Sequence, residues 1–79
     1  MRKVLLVDDD VELVEMLREY LEREGFAVNA VHDGEAGVSE ALGGQYAIAV
    51  LDVMMPRMNG IEALRQIRLG SCMPVLMLT

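Results

Sequence analysis

Two apolar runs, Val4-Leu5-Leu6-Val7 and Ala47-Ile48-Ala49-Val50-Leu51, each end on acid. The first runs into Asp8-Asp9-Asp10 and the second into Asp52. Neither run alternates apolar with polar residues, so each suits a strand covered on both faces, as in a parallel sheet. Parallel strands need crossovers between them, and helically spaced apolar residues follow each run. The chain is therefore constrained to a layered α/β arrangement that delivers carboxylates at strand ends.

Lys3 to Val7 is the first strand. Val11, Val14, Leu17 and Leu21 recur at three- and four-residue steps and predict one apolar helix face between Val11 and about Glu24. Asp9 or Asp10 can cap that helix, and Asp9 stands three residues before Glu12, the spacing of a capping box. Gly25 closes it. Phe26 to Val31 reads as a second strand, with Asn29 at its centre marking it as an edge. Asp33 caps a short helix from about Gly34 to Leu42, ended by Gly43-Gly44. Ala47 to Leu51 is the third strand. Pro56 and Asn59-Gly60 shape the turn after it, with positive φ expected at Gly60. Ile61, Leu64 and Ile67 mark a helix from near Gly60 to near Gly70. Pro74 opens a fourth strand that runs to Leu78, at the position where its missing N–H is tolerated. The order β-α-β-α-β-α-β implies a parallel sheet with helices on both faces.

The fourth strand is as apolar as the first and third, and it lacks the charge or bulge that blunts an edge. A further strand is expected to pair with it, which makes residues 1–79 the N-terminal part of a single larger domain. The alternative is a homo-oligomer paired through that exposed strand.

Thirteen acidic residues against seven basic ones give a net charge of −6, with eight of the acids in the first 26 residues. Direct nucleic-acid contact by this segment needs a basic face, which such a balance does not provide. No apolar run approaches the ~18 residues of a membrane span, and no basic stretch leads a signal-like segment, so a cytoplasmic, membrane-free protein is expected. The single cysteine, Cys72, allows no internal disulfide and is expected in or near the core.

If strands one and three are neighbours, ~4.8 Å apart, the carboxylates of Asp8, Asp9 and Asp52 converge at the C-terminal edge of the sheet. Open α/β folds bind ligands at that edge, where the strand order reverses. Three carboxylates so close repel one another, so a proton or a cation is taken up. An all-oxygen set without His or Cys suits a hard ion, Mg2+ best. A carboxylate can also act as a nucleophile and form an aspartyl-phosphate. That transfer needs charge neutralisation and hydrogen-bond donors around the phosphoryl oxygens. Thr79, at the end of the fourth strand beside Asp52, is placed to supply a hydroxyl. Taken singly, Asp9 or Asp10 is more simply a helix cap, and Asp52 a turn residue. An acidic pair after one buried strand, with a single Asp after another, favours function.

Val7-Asp8-Asp9-Asp10 and Leu51-Asp52-Val53-Met54-Met55-Pro56-Arg57-Met58-Asn59-Gly60 resemble receiver domains of two-component response regulators. Asp33-Gly34-Glu35 and the Pro74-to-Thr79 segment fit as well, so the resemblance runs through all 79 residues, and most closely to the OmpR/PhoB class. It implies a flavodoxin-like (CheY-like) doubly wound parallel sheet, truncated, in strand order 2-1-3-4, with the family's fifth strand and last two helices beyond Thr79. It also implies that Asp52 is the phosphoacceptor for a sensor histidine kinase. Asp9, Asp52 and the backbone carbonyl of Met54 would ligate Mg2+ directly, with Asp8 acting mainly through water. Thr79 would contact the phosphoryl group and move in the switch. The resemblance further implies that the domain is not a stand-alone enzyme and that its parent would be a DNA-binding transcriptional regulator. The family's lysine after the fifth strand has no counterpart, since Lys3, the only lysine, begins strand one.

Other readings are weaker. A phosphatase of the aspartyl-phosphate type uses Asp-x-Asp after its first strand, which Asp8-Asp9-Asp10 allows, but Glu12 stands where such enzymes want Thr or Val. No glycine-rich loop follows strand one, against nucleotide binding. Met54, Met55 and Met58 are expected to cover the core beside the site, a docking surface being the sharper alternative. His32 lies in a loop with no second His or Cys nearby and is expected to have no metal or phosphotransfer role. The Glu-rich face of the first helix reads as solvated, with kinase docking the alternative.

Overall fold

Side chains of β1 (Lys3–Val7) alternate between two cores. Leu5 and Val7, with Ala49 and Leu51 of β3 (Ile48–Asp52), pack against α2 (Gly34–Gly43) and α3 (Gly60–Arg68) through Ala41, Ala63 and Ile67. Val4 and Leu6, with Val28 of β2 (Ala27–Val31), pack against Val14, Leu17 and Leu21 of α1 (Val11–Arg23). A strand covered on both faces must be apolar at every position, which is why the runs do not alternate. The largest fully buried side chains are Leu5, Leu51, Ile67, Val7 and Val14, each worth ~1.5–3 kcal/mol relative to exposure.

The computed structural model describes residues 1–78. Its sheet is parallel throughout and runs β2-β1-β3-β4, with β4 at Val75–Leu78, the expected strand order. β2 lies at one edge, as Asn29 suggested, and each element ends within about two residues of expectation. The chain leaves β1 for β2 on one side and then crosses to β3 on the other. That reversal opens a crevice at the C-terminal ends of β1 and β3.

Several local expectations fail. Of the two acids able to cap α1, Asp10 does so, its carboxylate accepting the Leu13 amide at 3.1 Å, and the capping box of Asp9 with Glu12 does not form. Glu12 is therefore not at the capping-box position, and Asp9 is free of helix duty. The apolar face of α1 begins a turn late: Val14 is buried but Val11 is exposed. Cys72 is exposed in the loop before β4, because its neighbour Met73 takes the inward position against the core.

Gly60 has no positive φ. It begins α3, and a Cβ there would overlap the carbonyl group of Asp52. Glycine is needed for close approach, not for a left-handed backbone. The left-handed residue of this loop is Arg57, at φ 65°, which for a non-glycine residue costs about 1 kcal/mol.

Candidate functional site

The parallel register pairs Val7 with Leu51, so Asp8 and Asp52 leave their strands side by side. Asp8, Asp9 and Asp52 each present a carboxylate oxygen, all within 4.8 Å of one another. Asp8 is buried, Asp52 half-buried and Asp9 exposed. Asp8 is held on three sides. Its amide donates to the Val31 carbonyl at 3.2 Å, and its Oδ1 accepts the Asp10 amide at 2.9 Å. Its carbonyl oxygen accepts from His32 Nδ1 at 3.0 Å.

Burial pushes the Asp8 carboxyl up from its ordinary 3.8, and the negative charges of Asp52, Asp9 and Asp10 push the same way. The Asp10 amide pulls it down, but the net direction is upward. The cluster thus concentrates negative charge with no cationic side chain among its members. Its donors are all carboxylate oxygens, a set that fits a hard divalent cation rather than a soft one.

The loop after β3 folds tightly over the site. The Met54 amide donates to Asp52 Oδ1 at 3.3 Å. The Val53 amide reaches the Leu78 carbonyl at 3.0 Å, and the Gly60 amide reaches the Val53 carbonyl at 3.0 Å. Asn59 caps α3, accepting the Glu62 amide at 2.9 Å. Met58 lies against Gly34 in the first turn of α2, so closely that a Cβ on Gly34 would meet it. Met55 is buried and Met58 packs on the core, as expected of the methionines, whereas the Met54 side chain is 77% exposed.

Thr79 lies outside the described residues. Lys3 begins β1 and so stands at the opposite sheet edge from the acids, its Nζ 4.9 Å from the Tyr46 ring centre. His32 is the contact that sequence reasoning missed. Its signal was the register: Val31 pairs with Val7, so the residue after Val31 comes level with Asp8.

Residues 4–79 match the family model of the response regulator receiver domain. Over all 79 residues the chain is 51% identical to the transcriptional regulatory protein CpxR homolog of Haemophilus influenzae, of which it covers 34%. It thus spans about a third of the length of that curated relative. A solved structure of the histidine kinase ThkA in complex with the response regulator protein TrrA superposes with a TM-score of 0.92 at 31% identity, covering 100% of this chain and 69% of that one. TrrA from Thermotoga maritima in complex with Mg2+ and BeF superposes at 0.82 with 34% identity, covering 86% of this chain and 59% of that one. Among the described residues, no helix is long and apolar enough to cross a membrane.

Proposed function

The chain belongs to the response regulator receiver domain family, and on that premise we propose that it is a phosphoacceptor whose Asp52 takes a phosphoryl group from a sensor histidine kinase. The observation that carries this reading is the meeting of Asp8, Asp9 and Asp52 within 4.8 Å at the C-terminal edge of the sheet. A carboxylate oxygen of Asp52 attacks phosphorus, the bond from phosphorus to the histidine nitrogen breaks, and an acyl phosphate forms as the imidazole leaves. Asp9, Asp52 and the Met54 carbonyl would hold Mg2+ directly, with Asp8 acting through water. An ion held there would supply the positive charge that offsets the phosphoryl oxygens. The Met54 amide, bonded to Asp52 Oδ1, restrains the nucleophile. Thr79 contacts the phosphoryl group and relays its arrival.

Residues 1–79 are, on this reading, the N-terminal part of the receiver of a cytoplasmic, DNA-binding transcriptional regulator. The CpxR homolog supports the regulator, and the ThkA complex with TrrA supports a histidine kinase as partner. DNA contact belongs to another part of the protein, because this segment carries a net charge of −6. The module assists its own phosphorylation and is not a stand-alone enzyme.

Acetyl phosphate with Mg2+ should add one phosphoryl mass to the full-length protein, read by intact mass spectrometry. Asp52→Asn should add none; labelling that persists undiminished in that variant would sink the assignment.

One observation favours a second property of this segment. Among the described residues β4 has a strand neighbour on one side only, and Leu76 on it is 51% exposed. The 79-residue chain by itself is proposed to associate with a second copy through that strand.

A further inference from the structure

We propose that His32 is a positioning residue for the acidic site, acting through the backbone of Asp8. This rests on the phosphoacceptor reading above and adds to it a residue outside the acidic set.

The Ala27 amide donates to the Arg2 carbonyl and the Asp8 amide to the Val31 carbonyl. Continued by one step, that parallel ladder would bring the Asp33 amide to the Asp8 carbonyl. Asp33 instead serves as the N-cap of α2, its side chain accepting the Ala36 amide at 2.8 Å. The chain has left the strand, and the His32 ring supplies the donor at 3.0 Å. A carbonyl oxygen has no proton to give, so Nδ1 carries the hydrogen of this bond. His32 thereby extends the β1–β2 ladder by one rung, with a side chain in place of an amide.

That rung sits at the point where it matters for the site. The Asp8 amide, Oδ1 and carbonyl oxygen are each engaged, by Val31, Asp10 and His32 respectively. The Asp8 carbonyl belongs to the peptide unit that leads into Asp9. Holding that oxygen fixes the plane of the peptide, and with it the direction in which Asp9 leaves the strand toward Asp52. Without it, Asp8 keeps its burial but the exposed Asp9 loses a restraint.

The test follows Mg2+ alone, titrated into 15N-labelled full-length protein while the Asp9 and Asp52 amide signals are recorded. His32→Ala and His32→Gln should weaken Mg2+ binding about 10-fold, the lower end of what loss of a ligand-orienting group produces. His32→Asn should stay within about 3-fold of wild type, because its amide nitrogen stands near the place of Nδ1, whereas that of Gln stands nearer Nε2. The wild-type ring nitrogens should report a proton on Nδ1. Should His32→Ala not fold, the Asn and Gln variants decide between themselves. Wild-type affinity in His32→Ala, equal weakening by Asn and Gln, or an Nδ1 without a proton would each overturn the proposal while leaving the site intact. A wild type that does not bind Mg2+ would overturn the phosphoacceptor reading and this inference with it.

Discussion

Asp8 and Asp52 stand one residue beyond the last paired rung of β1 and β3, Val7 with Leu51, and their carboxylate oxygens approach within 4.8 Å. The approach is set by the sheet itself, since neighbouring strands lie ~4.8 Å apart. Like charges are therefore held together by a register that Leu5, Val7, Ala49 and Leu51 enforce from the core. The repulsion is a built-in cost of the metal-free fold, offset by burial of those side chains.

That cost has a defined pH dependence. The Asp8 carboxyl is raised above 3.8, first by burial and then by neighbouring charge. Its contribution to stability is fully present below 3.8 and is lost as pH rises through the higher folded value, because the folded state binds the proton more tightly than the unfolded one. Asp8→Asn keeps an acceptor for the Asp10 amide but removes the charge. In the presence of EDTA the variant should melt at a higher temperature than wild type at neutral pH, and the difference should shrink on acidification. A wild type that melts higher than the variant at neutral pH would refute this.

Asp9 and Asp10 are neighbours in sequence with separable duties. Asp10 caps α1 through Leu13, so Asp10→Ala should cost about 1 kcal/mol of stability and leave Mg2+ affinity nearly unchanged. Asp9→Ala should leave metal-free stability within about 0.5 kcal/mol, as for other surface changes. It should also remove most of the stabilisation by Mg2+, which is about 2.7 kcal/mol at a hundredfold excess over Kd. Paired thermal melts with and without Mg2+ separate the two; the opposite assignment of effects would show the roles to be exchanged.

Much of this was legible in the sequence, for physical reasons. Unalternated apolar runs at Val4–Val7 and Ala47–Leu51 admit few arrangements other than central parallel strands, and acid directly after them must emerge at one sheet edge. Contacts that depend on tertiary register were not legible. Asp9 and Asp10 both satisfy the local rule for a cap, and only the orientation of α1 against β1 selects Asp10. Asn59-Gly60 has the composition of a left-handed turn, yet close packing against Asp52 explains Gly60 and Arg57 takes the positive φ. His32 meets Asp8 across 24 positions of sequence, a contact that no local pattern announces.

Gly60 and Gly43 should answer alanine in opposite directions. At Gly60 a Cβ would overlap backbone of Asp52, which cannot step aside as a side chain can. Gly60→Ala should cost about 3 kcal/mol, the upper range for overpacking, and should weaken Mg2+ binding by displacing Asp52. At Gly43, the last residue of α2, a Cβ meets nothing within 4 Å. Gly43→Ala should be neutral or stabilise by up to about 1 kcal/mol through helix propensity and unfolded-state entropy. Urea denaturation of both variants checks the contrast, and equal effects would refute it.

Tyr46 ties the opposite edge of the sheet together. Its hydroxyl donates to Glu40 Oε1 at 2.5 Å and accepts from Asn29 Nδ2 at 2.7 Å, linking α2 to the edge strand β2. Burial, and then the bond to Glu40, raise the phenol above 10.0. Its contribution is thus complete below pH 10 and lost as pH rises through the folded value. Tyr46→Phe should cost about 1–2 kcal/mol by leaving Glu40 and Asn29 without this partner, and should leave phosphorylation of Asp52 unaltered. An unchanged melting temperature would show that the network is idle.

The open side of β4 makes the last prediction. Ala49 and Val53 of the β3 segment donate to the carbonyls of Pro74 and Leu78. With a period of two, the backbone groups of Val75 and Met77 therefore point away from β3. Leu76, exposed on the same strand, adds apolar surface and no charge that would discourage pairing. In light scattering the 79-residue chain should show a mass that rises with concentration above the 8.8 kDa of one copy. Leu76→Lys should return it to a single copy without loss of fold, because that side chain makes no part of either core cluster. A wild-type mass that stays at one copy across the concentration range, with a cooperative melt, would show that β4 is stable unpaired.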